Sequence, residues 1–182
     1  ARFVVVYSLL VFAETLVILF VGFLFVPYLS YGLVSVVPLT LPVIVILAYY
    51  ITLPFEKIIS NSYVKKAKKK IMARKDLTVI GITGSYGKTS VKNILSTLLS
   101  EKYKVCATPS SFNTPLGLAK TILSNLNSDD EIFIAEMGAR QRNDIMELCE
   151  MVSPKIGIIT GIGNQHLLTF GSEENIIKTK GE

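Results

Sequence analysis

Two long apolar runs open the chain, Phe3 to Val26 and Leu33 to Leu53, and beyond Pro54 short apolar runs alternate with stretches of helical spacing. About 20 apolar residues suffice for a helix to cross a bilayer, and each opening run is long enough. Pro27-Tyr28-Leu29-Ser30-Tyr31-Gly32 between them reads as a turn with interfacial tyrosines. The pair predicts a two-helix transmembrane hairpin over residues 1–55. Pro38 and Pro42 would kink the second span or shorten its start. Glu14 falls near the middle of the first, where a carboxylate is protonated, paired within a helix bundle, or functional.

Downstream the period changes. Val79 to Ile82, Lys104 to Thr108, Glu131 to Met137 and Lys155 to Gly161 read as short buried strands. Between them Val91, Ile94, Leu95 and Leu98 fall at helical spacing, as do Leu116 to Leu126 and Asn143 to Met151. Regular alternation of strand and helix predicts an α/β fold with a P-loop-type parallel sheet and helices on both faces, preceded by the hairpin.

Between the first strand and the first of these helices lies Gly84-Ser85-Tyr86-Gly87-Lys88-Thr89-Ser90. Glycines allow successive backbone N–H groups to turn around phosphate oxygens, and the helix N-terminus adds partial positive charge. Lys88 then reaches the β/γ phosphates of ATP, and Thr89 offers a hydroxyl to Mg²⁺. The eight-residue form of the motif would place its first glycine at Ile82, so the match is the shorter one, in the strand-to-helix context it requires. Residues Gly84 to Ser90 are the expected nucleotide contacts. Glu136 and His166 each follow a strand, where open α/β sheets collect ligands. Glu136 suits Mg²⁺, which takes one or two carboxylates and fills its shell with water.

Charge divides the chain. Through Phe55 the charged residues are Arg2 and Glu14, whereas Lys57, Lys65, Lys66, Lys68, Lys69, Lys70, Arg74 and Lys75 face only Glu56 between residues 55 and 75. The net charge of +5 thus averages unlike regions. Residues 56–76 read as a basic juxtamembrane linker, which by the positive-inside rule sets both ends of the hairpin inside. The expected location is the cell membrane, multi-pass, with the ATP-binding domain in the cytoplasm and anionic membrane lipids as partners of the linker. Nucleic acid is not an expected partner, since aromatics are not interleaved with the lysines. Cys106 and Cys149 lack metal-ligand spacing and read as reduced core residues. The chain starts without Met and stops just after a helical pattern begins, which reads as a fragment at both ends.

Four ordered blocks carry a family resemblance over Leu77 to Glu182. They are Gly81-Ile-Thr-Gly-Ser-Tyr-Gly-Lys-Thr89, Thr108-Pro-x-x-x-Asn-Thr-Pro-x-Gly117, Glu136-Met-Gly-Ala139, and Gly161-Ile-Gly-Asn-Gln-His-Leu-x-x-Phe-Gly-Ser172 with Lys178-Thr-Lys-Gly-Glu182. This region resembles the central ATP-binding domain of the Mur ligases, the amide-forming enzymes of peptidoglycan synthesis. It is most similar to the branch that joins D-alanyl-D-alanine to the UDP-muramoyl tripeptide. The resemblance implies residues 77–182 as such a domain, truncated at its C-terminus.

It further implies ATP and Mg²⁺ as cofactors, a carboxylate and an amine as substrates, such as a UDP-muramoyl peptide and D-alanyl-D-alanine, and an acyl phosphate between them. By the same resemblance Lys88 holds the β/γ phosphates, Thr89 and Glu136 hold one Mg²⁺, and His166 helps place a second. Lys180, fourteen residues after His166, matches a lysine the family carbamylates, with Lys178 as fallback, and Asn113 falls on a loop near the γ-phosphate. The implied catalytic residues are Lys88, His166 and Lys180. The loop Ser110 to Thr114 and Gly161 depart from the family pattern. Two other readings stay open on the residues: a ligase for another polymer, such as poly-γ-glutamate or cyanophycin, and a non-catalytic ATP-binding membrane switch or scaffold.

Overall fold

A computed structural model describes residues 8–17, 20, 37–110, 112–163 and 167–182. The chain divides into two compact units, Ala1–Ile59 and Ser60–Glu182.

The first unit contains α1 (Ser8–Val17) and the opening part of a long helix, α2 (Val37–Met72), with Pro42 and Pro54 inside it. Proline removes one helical donor and crowds the carbonyl four residues back. Thr52, close before Pro54, donates its hydroxyl to Ala48 O at 2.9 Å. Glu14 is half-buried on α1. Among the described residues one helix, Pro42–Met72, is long and apolar enough to cross a membrane, while α1 is a short apolar helix. The described residues thus hold one candidate span, which does not confirm the two-helix hairpin and corrects the expectation of a multi-pass cell-membrane location. The rest of the first apolar run and the Pro27 to Gly32 turn lie outside the described residues.

The second unit begins within α2. Val64, Ala67 and Ile71 recur on one side of that helix and join the apolar core of this unit. Lys70 donates to Ile122 O at 2.7 Å and Leu126 O at 2.6 Å, and Arg74 donates to Asn127 O at 2.9 Å and Asp130 O at 2.6 Å. The carbonyls at a helix C-terminus lack intrahelical partners, so cations are favoured there. Two members of the basic stretch are thus internal fasteners; Lys65, Lys66, Lys68, Lys69 and Lys75 are exposed.

Four strands follow, β1 (Thr78–Thr83), β2 (Val105–Ala107), β3 (Ile132–Glu136) and β4 (Ile156–Ile159), in a parallel sheet of order β2-β3-β1-β4. Register pairs Ile82 with Glu136 across β1 and β3, and Ile82 with Ile158 across β1 and β4. The connecting helices are α3 (Lys88–Ser100), α4 (Pro115–Ser124) and α5 (Asp144–Val152), with α6 (Leu167–Phe170) and α7 (Glu173–Lys180) after β4.

Both faces of β1 to β3 are covered, which the two-residue alternation of strand side chains explains, whereas β4, expected as a buried strand, leaves Ile156 and Ile159 exposed. Ile80, Ile82, Ile132 and Ile134 pack with Val91, Leu95 and Leu99 of α3. Val79, Cys106, Phe133 and Ala135 point the other way, into a core shared with Leu118, Ile122, Leu148 and Ile176 of the remaining helices. Thr114 caps α4 by accepting from Gly117 N at 3.2 Å, with Pro115 at the first helical position. Both cysteines are free, and burial pushes the Cys106 thiol up to about 11.

With β1 between β3 and β4, the carboxyl end of β1 opens at the point where the connections run to opposite sides. The loop from Gly84 to Gly87 is there.

Candidate nucleotide site

Gly84 and Gly87 take the left-handed half of backbone space, with φ of 145° and 79°. A Cβ on Gly84 would stand 2.0 Å from Thr160 Oγ1, so the position excludes any side chain, whereas Gly87 faces open space. Ser85 N and Tyr86 N donate to Gly161 O at 2.8 and 3.2 Å, and Ser85 Oγ donates to Gly163 O at 3.0 Å. The Thr160 hydroxyl lies 2.6 Å from Tyr86 O and 3.0 Å from Thr83 O. The loop is therefore braced by the segment after β4. The backbone N–H groups of Gly87, Lys88, Thr89 and Ser90 find no acceptor among the described residues. These four N–H groups at the start of α3 are the ones free to meet an anion.

Lys88 curls back over the loop, donating to Gly84 O at 2.7 Å, and burial lowers its pKa against the opposing pull of Glu136. Thr89 Oγ1 donates to Glu136 Oε2 at 3.0 Å. That carboxylate is 1% exposed and also receives Asn113 Nδ2 at 3.4 Å on its other oxygen. Its own backbone N donates to Thr108 Oγ1 at 3.1 Å. Gly138 N donates to Asn113 O at 2.9 Å, and a Cβ there would stand 2.8 Å from Asn113 Cγ. The small residue in Glu136-Met137-Gly138-Ala139 lets the Asn113 loop close onto the site.

A cavity of about 340 Å³ is lined by Lys88, Asn113, Thr114, Arg140, Asp144 and Lys180 among others. Lys180 is 4% exposed, and its ammonium is pushed down to about 8, first by burial and then by Lys88, with Asp144 opposing. Glu182, two residues on, accepts from Asn143 N at 2.9 Å and Met146 N at 3.1 Å. It thereby caps α5, whose N-cap residue Asn143 makes no side-chain cap of its own, and fastens the end of α7 to it.

The expected residues Gly84 to Ser90, Asn113, Glu136 and Lys180 thus gather at one end of the sheet. His166 lies outside the described residues. Sequence reasoning missed Lys92, whose ammonium sits 2.9 Å from Glu136 Oε2 with both side chains 2% exposed. Its signal was present, since Lys92 follows Lys88 by one helical turn and so shares its side of α3. Thr108, Thr160 and Glu182 carried no comparable signal, because each acts through a backbone group remote in sequence.

Among the described residues no three His, Cys, Asp or Glu side chains form a metal cluster. The hydroxyl of Thr89 beside the carboxylate of Glu136 fits a hard cation such as Mg²⁺, which completes its shell from water and phosphate oxygens.

The Mur ligase middle domain family matches residues 82–182. The UDP-N-acetylmuramoyl-tripeptide--D-alanyl-D-alanine ligase of Mycobacterium tuberculosis is 44% identical over 106 residues, which cover 58% of this chain and 21% of that protein. The ligase of the same name from Bacillus subtilis is 38% identical over 104 residues, 57% of this chain and 22% of that one. Among solved structures, MurF ligase from Thermotoga maritima in complex with ADP superposes with a TM-score of 0.62 at 38% identity, covering 66% of this chain and 28% of that chain. The chain spans about a fifth of the length of the curated relatives it matches.

Proposed function

The chain belongs to the Mur ligase family through its middle domain, and from that premise we propose that it is the nucleotide-handling part of an ATP-dependent amide ligase of peptidoglycan precursor synthesis. The observation that carries the proposal is the cavity shared by Lys88, Asn113 and Lys180, with Thr89 and Glu136 in contact behind the phosphate loop. A phosphate-binding fold without chemistry has no need of a second buried lysine in that cavity.

ATP binds with its phosphates on the N–H groups of Gly87 to Ser90, and Lys88 swings from Gly84 O to the β/γ oxygens. A substrate carboxylate oxygen attacks the γ-phosphorus, the bond to the β-phosphate oxygen breaks, and ADP leaves an acyl phosphate. An amine nitrogen then attacks the acyl carbon; the bond to the phosphate oxygen breaks, the nitrogen loses its proton, and amide and phosphate result. Lys88 and the loop N–H groups stabilise the charge that develops on the transferred phosphoryl group, and Asn113 orients it. Thr89 and Glu136 would hold Mg²⁺, which when bound neutralises phosphate charge. His166 is assigned to a second ion by family resemblance.

Lys180 is proposed as a carbamate. Its neutral amine adds to CO₂ with loss of one proton, turning a cation beside Lys88 into an anion that supplies oxygen ligands. A pKa lowered to about 8 supports this, since part of the side chain is then unprotonated near neutral pH. The relatives' names direct the substrate proposal to UDP-muramoyl tripeptide and D-alanyl-D-alanine.

The test is phosphate release by the full-length protein given the two substrates separately and together. Release with a new amide product only when both are present supports the ligase and its branch. No release with either this pair or a broad panel of carboxylates and amines overturns it.

A further inference from the structure

Lys92 is among the largest fully buried side chains of the described residues and belongs to no step above. It sits one turn into α3 from Lys88, and its ammonium has two partners from two other segments. One is Glu136 Oε2 at the end of β3, 2.9 Å away, and the other is the carbonyl of Ser110 in the loop between β2 and α4. Ser110 holds a left-handed backbone, φ 43°, which a residue with a Cβ adopts at a cost. The same loop carries Asn113, which reaches Glu136 Oε1. Lys92 thus ties the phosphate-loop helix, the carboxylate beside Thr89 and the Asn113 loop to one point.

Stability alone does not account for this arrangement. A buried ion pair is often no more stabilising than well-packed apolar residues of similar volume, and α3 already packs Val91, Leu95 and Leu99 against the sheet. What the ammonium adds is a hydrogen bond directly from α3 to the Asn113 loop; the bonds from Thr89 Oγ1 to Glu136 Oε2 at 3.0 Å and from Gly138 N to Asn113 O at 2.9 Å run instead through β3.

We propose that Lys92 is a positioning residue that holds the Asn113 loop against the γ-phosphate end of the nucleotide cavity. The inference rests on the phosphate-loop reading of Lys88, because the γ-phosphate end is defined by the cavity Lys88 and Asn113 share. Lys92 is not among the residues that line that cavity. Its loss therefore affects recognition of the third phosphate and leaves the N–H cradle of Gly87 to Ser90 in place.

The experiment compares Lys92→Met with wild type in the full-length protein. It measures affinity for ADP and for a non-hydrolysable ATP analogue, together with hydrogen exchange over residues 108–115. The expected result is an analogue affinity weakened tenfold or more, an ADP affinity within about threefold, and faster exchange confined to that loop. Equal loss for both nucleotides, or no change in either, with unchanged loop exchange, overturns the proposal and leaves the phosphate-loop reading standing. Failure of wild type to bind either nucleotide overturns that reading and the proposal with it. Should Lys92→Met not fold, the double variant Lys92→Met/Glu136→Gln is compared with Glu136→Gln, both charges of the pair then being removed. A further loss of analogue affinity and loop protection supports the positioning role; identical behaviour of the two variants overturns it.

Discussion

Lys180 and Lys88 line the same cavity from different elements, and the charge of Lys88 adds to burial in lowering the Lys180 ammonium to about 8. Two cations facing one cavity leave it poised for anions. The N–H groups at the start of α3 add further positive potential at the carboxyl end of β1.

That pKa sets a stability profile. A base whose folded pKa lies below its ordinary 10.5 binds fewer protons folded than unfolded between about pH 8 and 10.5. Stability therefore rises with pH across that window, and the cost of burying the ammonium is fully present below it. In CO₂-depleted buffer, Lys180→Met is expected to stabilise the protein by about 1 to 3 kcal/mol at pH 7 and by little at pH 10.5. Urea unfolding midpoints at the two pH values check this; a difference independent of pH would reject it.

The two loop glycines are expected to differ. Gly84→Ala places a methyl 2.0 Å from Thr160 Oγ1 and should cost more than about 2 kcal/mol while abolishing nucleotide binding. Gly87→Ala has open space and only an unfavourable φ to accommodate, for about 1 kcal/mol. Denaturant titration and nucleotide binding of the two variants, side by side, test the ranking.

The basic stretch should likewise divide. Lys70 holds two carbonyls at the end of α4, so Lys70→Met should lower stability by about 1 to 3 kcal/mol. Lys69→Met, on an exposed side chain, should stay within about 0.5 kcal/mol. Thermal unfolding of both reads the difference, and equal effects would remove Lys70 from its fastening role.

Local pattern by itself determined the alternation of strands and helices. Each strand is an apolar run bounded by polar residues, and each connecting helix repeats at helical spacing, so their order and approximate limits needed no tertiary information. The phosphate loop was equally legible, because Gly84, Gly87, Lys88 and Thr89 are adjacent in sequence. On the N-terminal side, hydrophobicity and charge read along the chain suggested two spans and a basic juxtamembrane linker, and did not show which of those residues pack. Tertiary packing decided instead that Val64, Ala67 and Ile71 belong to the core, and that Lys70 and Arg74 answer carbonyls more than fifty residues away. It also decided the partners of Glu136, since a strand's neighbours follow from sheet order and not from its own sequence. Lys92, Ser110 and Asn113 meet there only because β3 lies between β1 and β2.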